Sequence, residues 1–442
     1  MSLASRVRLH AKRYLWLAVV VLLVLVILDL YRIWGITNHH DLEVFVLAAK
    51  RLASGQDIYA DAAPFCQQLE SGVFSMKDDS IVWPYVYSPF IALLFVPLRS
   101  IPMNALGPLW WALNVASLLL GCWLALKAVG PVTPGQIALA LVLLLRFYPA
   151  EVALRLGQIE VVQFLLLAGA LYALSRHWEM GAGVALGLAA GLKFFPGALI
   201  ALFVWRRRWR AAIWATMVGL LTILGSFAAI GLDSLGRYAG ISSIYGLGGA
   251  FSAFPYNQSL NGLVSRNLVS NVFSATLKGW HLPDLAVVLI LLASMCVIVV
   301  SAWLCWCRKP WSAAPSARED DRFALEYGLG IMALLLISPH SQIYTFVWCL
   351  IPLIALVSAC SREPNAWICV AVGAGYILVG RHLVLFVPGL TRFFQSHLTF
   401  GAALLWLVMA VILYRGGTLA VEDAGAESVR APSEPERGGI RV

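Results

Sequence analysis

Asp41 is the first candidate for chemistry, in the polar run His39-His40-Asp41-Leu42-Glu43 that follows a long apolar stretch. A carboxylate fixed at a membrane surface can accept the proton of an attacking hydroxyl while a leaving group departs. The same residue could instead cap a helix or be an ordinary solvated acid. The two histidines beside it do not indicate a metal site, because adjacent residues rarely bind one ion together and no distant carboxylate cluster completes a ligand set. We predict no metal and no other cofactor.

Lys193 is the single cation in the apolar run from Gly181 to Pro196. A lysine inside a membrane-spanning helix is costly, so such a cation indicates a functional site, and an anionic phosphate is its natural partner. The alternative is that the side chain extends to the membrane interface, which is easy near a helix end.

His340 lies in the polar sequence Ser338-Pro339-His340-Ser341-Gln342 between two apolar runs. Its imidazole could hydrogen-bond a phosphate or a sugar hydroxyl, or it could only cap a helix at a turn.

Further polar groups border other apolar segments. Amide side chains suit sugar hydroxyls, because they donate and accept together, and arginine suits phosphate. These additional candidates are Gln158, Asn257, Gln258 and Arg266.

Composition shows what must position these residues. Of 442 residues, 60% are hydrophobic and 12% are charged, with a mean hydropathy of +0.81. A soluble domain carries about twice that charged fraction. Apolar runs recur from residue 14 almost to residue 415, and many reach the roughly 20 residues that a helix needs to cross a bilayer. Closed barrels show short alternating segments instead. The sequence therefore predicts an all-α, polytopic membrane protein.

We expect about twelve membrane-spanning helices. The stretch at 86–98 is short and the break at 146–158 is polar, so one or two of the segments could be half-helices or re-entrant. The predicted spans are 14–35, 86–98, 104–128, 136–149, 158–176, 180–205, 211–232, 283–306, 323–338, 343–360, 365–383 and 397–414.

Charge predicts the orientation. Basic residues cluster at the ends of apolar runs, as in Arg206-Arg207-Arg208-Trp209-Arg210, and this pattern marks cytoplasmic segments. The net charge of +9 is therefore no indication of nucleic-acid binding. Both termini are expected in the cytoplasm of a multi-pass cell-membrane protein. The predicted organisation is a cytoplasmic segment 1–13, a transmembrane domain 14–415 with outer segments 36–85 and 233–282, and a disordered cytoplasmic tail 416–442.

The first outer segment contains a predicted surface helix. Leu42, Phe45, Ala49 and Leu52 recur at helical spacing, and Gly55 follows as a stop signal. This pattern is typical of an amphipathic helix lying along the membrane just after the first span. A second such helix is expected around 64–72.

The order of these motifs resembles the family 87 glycosyltransferases, which are polyprenyl-phosphate-mannose-dependent enzymes of the GT-C superfamily. The resemblance covers the membrane region from about Asp41 into the second half of the chain. Its motifs are, in order, Asp41-Leu42-Glu43-Val44-Phe45, Gly55-Gln56-Asp57-Ile58-Tyr59, Tyr87-Ser88-Pro89, Gly157-Gln158, Lys193 with Pro196, Asn257-Gln258-Ser259-Leu260 and Ser338-Pro339-His340-Ser341.

The resemblance implies an inverting transfer of a sugar, in this family mannose, from a polyprenyl-phosphate donor to an acceptor hydroxyl on a glycolipid or glycan. It implies that Asp41 is the base and that His340 is a functional histidine in a later outer turn. It also suggests phosphate contacts for Lys193 and Arg266, and a place for Tyr87 in the substrate site. The partners are then the lipid-linked donor, the acceptor and membrane lipids, with no nucleic acid.

Three questions stay open at this stage. A transporter or flippase of a lipid-linked sugar would share the intramembrane cations but would tolerate loss of Asp41, and nothing in the sequence excludes a pentosyl donor. The charge-based topology puts Gly157-Gln158 inside, whereas a substrate role requires the outside. Either that motif is structural, or one of the spans within 136–176 does not fully cross.

Overall fold

The computed structural model describes residues 3–61, 64–65, 67, 83–247, 249, 251–270, 273, 281–306, 317–362, 364–383 and 391–430. Most of the second surface helix expected around 64–72 lies outside these ranges. The helices are α1 (Leu3–Trp34), α2 (His40–Ala53), α3 (Pro89–Phe95), α4 (Met103–Ala128), α5 (Pro134–Leu144), α6 (Tyr148–Leu156), α7 (Glu160–Ser175), α8 (Glu179–Leu192), α9 (Ile200–Trp205), α10 (Trp209–Ile230), α11 (Asp233–Ile244), α12 (Leu260–Leu268), α13 (Pro283–Trp306), α14 (Ala317–Ile337), α15 (Leu350–Arg362), α16 (Ala366–Gly380), α17 (Thr391–Phe394) and α18 (His397–Arg430).

The predicted all-α membrane class is confirmed. Among the described residues, six helical stretches are long and apolar enough to cross a bilayer, and several apolar helices of 10–17 residues lie between them. Short 3₁₀ helices extend three of the helices, at Val96–Leu98, Phe195–Leu199 and Ile343–Cys349. The last helix runs to Arg430, into the segment that we predicted to be disordered.

Two predicted spans are broken. The stretch at 136–149 becomes α5 and α6, which meet at an angle of 63°, and 180–205 divides at Lys193, whose backbone is extended. Prolines explain both breaks, since a proline supplies no backbone N–H to the helical carbonyl four residues earlier and its ring crowds that carbonyl. Pro149 lies in the first turn of α6, and Pro196 lies in the 3₁₀ turn that follows Lys193.

A chain of ion pairs fastens α1 to the bend between α5 and α6. Asp29 pairs with Arg32 at 2.9 Å and with Arg146 at 3.5 Å, and Arg32 also reaches Glu151 at 2.5 Å. Asp29 is largely buried, so these charges stabilise one another in a poorly solvated place. The bend therefore holds a fixed position relative to the end of α1.

The start of α2 is held against the end of α6. The backbone N–H groups of Asn38 and His39 donate to the carbonyl of Arg155 at 3.1 and 3.2 Å. Gly157 has φ +74°, and a Cβ placed there would lie 3.1 Å from the Cβ of Leu42. Trp110 of α4 donates to the Gly157 carbonyl at 2.8 Å. These contacts place the Gly157 turn directly beside the first turn of α2.

The surface helix α2 packs on an aromatic cluster. Its Leu42, Phe45 and Ala49 are fully buried. The Phe45 ring lies 5.0 Å from that of Tyr87 and 5.4 Å from that of Phe95, measured between centroids. The helix thus covers both the start and the end of α3.

Helices α8 and α10 approach closely along a line of small residues. A Cβ at Gly183 would lie 2.4 Å from the carbonyl oxygen of Ala211, and a Cβ at Gly187 would lie 2.7 Å from that of Ala215. Glycine at both positions lets the two backbones pack together, as is common between membrane helices. This interface positions Lys193, which directly follows α8.

Substitution of Gly187 by alanine should destabilise the protein by about 1–3 kcal/mol, because the added methyl group meets backbone atoms that cannot move aside. Gly373→Ala is the matched control, since a Cβ at Gly373 would have nothing within 4 Å. The measurement is the thermal midpoint, Tm, in detergent micelles. Equal Tm values for the two variants would contradict the close packing of α8 on α10.

Candidate active site

A cleft opens beside Lys193 at the end of α8. It encloses about 830 Å³ of empty space, counting its mouth. Polar side chains from four separate segments of the chain line it, together with the apolar rings of Phe194, Phe195 and Trp348. The polar lining residues include Tyr87, Lys193, Tyr245, His340 and Tyr344.

Lys193 is held on three sides. Its ammonium forms an ion pair with Glu160, the first residue of α7, which is fully buried. The Lys193 Nζ also lies 5.1 Å from the centroid of the Tyr87 ring and 5.2 Å from that of Tyr344. A cation over an aromatic face is attracted by the electron-rich ring. The Lys193 side chain stays 24% exposed, so its charge is accessible from the cleft.

Asp41 lies in the first turn of α2, close to this lysine, and is half-buried. Burial raises the pKa of its carboxyl to about 7, and the negative charge of Glu160 contributes to the rise. The positive charge of Lys193 and the amide of Gln158 act in the opposite direction. Among the described residues, Asp41 forms no ion pair with Lys193. A carboxylate with a pKa near 7 is well matched to take a proton at neutral pH.

A hydrogen bond joins Gln158, which lies beside Asp41, to Tyr87, which lies beside Lys193. The Tyr87 hydroxyl donates to Gln158 Oε1 at 3.1 Å, and the Tyr87 carbonyl accepts from the hydroxyl of Tyr59 at 2.9 Å. Ser88 anchors the same segment to α8 by donating to the Gly191 carbonyl at 2.9 Å. Within the described ranges, the buried Gln158 Nε2 has no hydrogen bond of normal length.

His340 faces the cleft from the turn after α14. Its ring lies 4.7 Å from that of Tyr245, and its Nε2 is 2.7 Å from the amide nitrogen of Gln342. Burial lowers the pKa of His340 to about 3, and the charge of Lys193 lowers it further. The imidazole is therefore neutral at pH 7, and it can hydrogen-bond a ligand without adding positive charge.

Asn257 and Gln258 lie behind the cleft and support the turn that carries His340. The Asn257 amide donates to the Pro339 carbonyl at 3.0 Å, and its Oδ1 accepts from the N–H of Ser341 at 3.2 Å. The backbone N–H of Gln258 donates to the Ser341 carbonyl at 2.7 Å. Neither residue lines the cleft, so their contacts in this structure hold the His340 turn in place.

Arg266 is also remote from the cleft. It is 1% exposed and donates to the carbonyls of Phe254 and Asn257 at 2.9 and 2.6 Å and to the Ser396 hydroxyl at 2.5 Å. Burial lowers the pKa of its guanidinium to about 9. The structure thus brings five of the sequence candidates together around Lys193 and places three elsewhere; of the five, Asp41 and Gln158 lie beside Lys193 and Tyr87 without lining the cleft. The five are Asp41, Tyr87, Gln158, Lys193 and His340, and the three are Asn257, Gln258 and Arg266.

Sequence reasoning did not select Glu160, Tyr245 or Tyr344. Glu160 carried a usable signal, because an acid that opens an otherwise apolar helix indicates function by the same argument as Lys193. The two tyrosines carried none. An aromatic residue beside an apolar run is ordinary, and only the fold shows that these rings flank the cleft.

Comparison with known proteins agrees with the motif order. Residues 85–339 match the sequence profile of glycosyltransferase family 87. The chain belongs to glycosyltransferase family 87. The match includes Tyr87, Gln158, Glu160 and Lys193, whereas Asp41 precedes it. The resemblance drawn from the sequence motifs is confirmed, and the protein is a membrane glycosyltransferase.

Two relatives of this glycosyltransferase carry the same name, polyprenol-phosphate-mannose-dependent alpha-(1-2)-phosphatidylinositol pentamannoside mannosyltransferase. The protein of Mycobacterium tuberculosis is 26% identical over 387 residues, which cover 87% of this chain and 80% of the relative. The protein of Mycolicibacterium smegmatis is 26% identical over 301 residues, which cover 66% of each chain.

Substitution of Arg266 by alanine should destabilise this glycosyltransferase by about 2–4 kcal/mol, because two buried carbonyls and a hydroxyl lose their donor. Arg237→Ala is the control, since the side chain of Arg237 is 51% exposed and its ion pair with Asp57 lies at the surface. The readout is Tm in detergent. A Tm for Arg266→Ala as high as that of the control would contradict the supporting role.

Proposed function

We propose that the protein transfers mannose from a polyprenyl-phosphate-mannose donor to a hydroxyl of a glycolipid acceptor at the outer face of the membrane, with inversion and with Asp41 as general base. The observation that carries the proposal is that a carboxylate and a cation lie close together, with the cation facing the cleft. A carboxylate with a pKa of about 7 lies next to a lysine that faces the cleft. A base and a phosphate-binding cation are the two groups that this transfer needs.

The donor phosphate would bind Lys193. Its leaving group is a phosphate monoester, and a fixed cation stabilises the charge that develops as the sugar departs. The neutral imidazole of His340, across the same cleft, suits a hydroxyl of the sugar or an oxygen of the phosphate. The Phe194 and Phe195 side chains, 36% and 41% exposed, provide an apolar surface for the first isoprenoid units.

The reaction then follows a single displacement. The acceptor oxygen attacks the anomeric carbon from the face opposite the phosphate, and its proton passes to Asp41. The bond between the anomeric carbon and the phosphate oxygen breaks, and its electron pair remains on the polyprenyl phosphate. Because attack and departure occur on opposite faces, the configuration of the sugar inverts. Nothing in this sequence of steps requires Arg266, Asn257 or Gln258 to touch substrate.

The identity of the substrates rests on the relatives. Both are named as polyprenol-phosphate-mannose-dependent enzymes that act on phosphatidylinositol pentamannoside. At 26% identity we extend to this chain the donor class and the class of acceptor, a glycolipid with a free sugar hydroxyl. A lipid-linked donor also agrees with a cleft whose wall combines one cation with exposed aromatic rings.

Substitution of Asp41 by asparagine should lower the rate of transfer about 10²–10⁴-fold, because the amide cannot accept the proton. Glu43→Gln is the control, an exposed acid on the same helix. The assay follows label from polyprenyl-phosphate-mannose into lipid products with purified protein and a lipid extract that contains phosphatidylinositol mannosides. Undiminished transfer by the Asp41→Asn variant would overturn its role as base, whereas a flippase would transfer no label even as the wild type.

The fold also supports an outer location for the cleft. Asp41, the Gly157 turn, Lys193 and His340 meet at one face, and α3 begins and ends beside α2. We infer that α3 is re-entrant, that the bent pair α5–α6 makes a single crossing, and that α8 and the stretch 195–205 cross separately, since α8 and α10 run parallel. The chain then crosses twelve times and keeps its basic turns on the face opposite the cleft. In this arrangement Gly157-Gln158 lies on the outside, as a substrate role requires.

Labelling of single cysteines tests the orientation. In a variant with the native cysteines replaced by serine, Ser54→Cys at the end of α2 should react with a membrane-impermeant maleimide in intact cells. Arg207→Cys, in the exposed turn between α9 and α10, should react only after permeabilisation. The reverse pattern would place the cleft in the cytoplasm and contradict the proposal.

A further inference from the structure

Glu160 is a buried carboxylate that the proposed reaction does not use. It opens α7 and is 0% exposed, and its Oε1 binds Lys193. Within the described chain its Oε2 is buried without a hydrogen-bond partner. A buried ion pair adds little to stability compared with apolar side chains of the same size. Stability alone therefore does not explain why an acid occupies this position.

The geometry of Lys193 suggests what Glu160 does. The lysine stem is flexible and carries a compact charge that can reach several partners. Asp41 is close enough for the charge of Lys193 to act on it, yet the structure pairs the lysine with Glu160. The rings of Tyr87 and Tyr344 flank the ammonium on two other sides, so together with Glu160 they hold it in one position.

Pairing of Lys193 with Asp41 would harm both proposed roles. The ammonium would turn away from the cleft, and its contact with the carboxylate would make Asp41 a weaker base. An acid at position 160 competes for the lysine and, as a second negative charge nearby, opposes loss of the Asp41 proton. Glu160 thus keeps Asp41 available as a base.

We propose that Glu160 is a positioning residue, which seats the Lys193 ammonium between Tyr87 and Tyr344 so that the lysine meets the donor phosphate and Asp41 stays unpaired. The inference rests on the proposed function and adds a role that Asp41 and Lys193 do not fill. On donor binding, the phosphate approaches the accessible side of the ammonium while Glu160 holds the opposite side.

The groups that face Asp41 determine the expected pH dependence. Its own helix contributes His40 and Glu43 in the same turn. Other segments of the chain contribute the groups that act on the carboxyl or are affected by its charge, namely Gln158, Glu160, Lys193, Tyr87 and Tyr344. Of these, Glu160 and Lys193 carry full charges of opposite sign.

The test is the pH profile of kcat/KM for polyprenyl-phosphate-mannose, with the lipid extract as acceptor. In the wild type, kcat/KM should fall tenfold per pH unit below about 7, where Asp41 becomes protonated. Glu160→Gln should move this acidic limb downward by about one pH unit or more and raise the donor KM, since Lys193 is then free to pair with Asp41. Glu160→Asp, which keeps the charge, should stay nearer the wild-type limb.

Lys193→Gln provides the opposite test, because removal of the positive charge should move the limb upward and weaken donor binding. It also decides the matter if Glu160→Gln does not fold. Opposite shifts of the limb in the two variants support the inference. A folded Glu160→Gln variant that loses activity with its limb unmoved would overturn it, and so would an unmoved limb in Lys193→Gln. Wild-type protein that transfers no mannose from this donor would instead overturn the proposed function.

Discussion

The ion pair between Lys193 and Glu160 is the interaction on which the arrangement of the cleft depends. It joins the end of α8 to the start of α7. A lysine can occupy this place only because the apolar run breaks there, with an extended backbone at Lys193 and a proline three residues later. If 180–205 formed one continuous helix, the Lys193 side chain would lie along the surface of that helix. Its ammonium would then lack the freedom to enter the cleft.

Several packing constraints position that pair. Glycines on α8 bring it against α10, and the carbonyl of Gly191 accepts from Ser88, which fixes the segment that carries Tyr87. On the other side, the ion pairs of α1 with α6 set the place where α2 begins. Two separate sets of packing contacts therefore hold Asp41 and Lys193 near each other.

Much of the fold was readable from the sequence because helix length and apolar periodicity are local properties. The spacing of Leu42, Phe45 and Ala49 predicted α2, and those side chains are buried as expected. The breaks were harder to predict. The prolines at 149 and 196 were visible, but whether a proline bends a span or divides it depends on the helices packed around it.

Which of the candidate residues meet at the site could be predicted only in part from the sequence. The cost of placing a charge in a membrane-spanning segment indicates a functional role for Lys193 without knowledge of the fold. The same argument applied to Glu160 would have identified the ion-pair partner of Lys193. Asn257, Gln258 and Arg266 were chosen because amides and arginine suit sugars and phosphate, but the same donors also suit the carbonyls of a tight turn. Sequence cannot separate these uses, since the difference lies in which turn is nearby in three dimensions. The turn that carries His340 is the one they support.

The most direct test of the account is a structure of the Asp41→Asn variant with polyprenyl-phosphate-mannose bound. The account predicts the phosphate within salt-bridge distance of the Lys193 ammonium, with the mannose between it and position 41 and its anomeric carbon open to attack from the side of α2. A phosphate bound elsewhere, for example at Arg266, or a sugar turned away from α2, would contradict it.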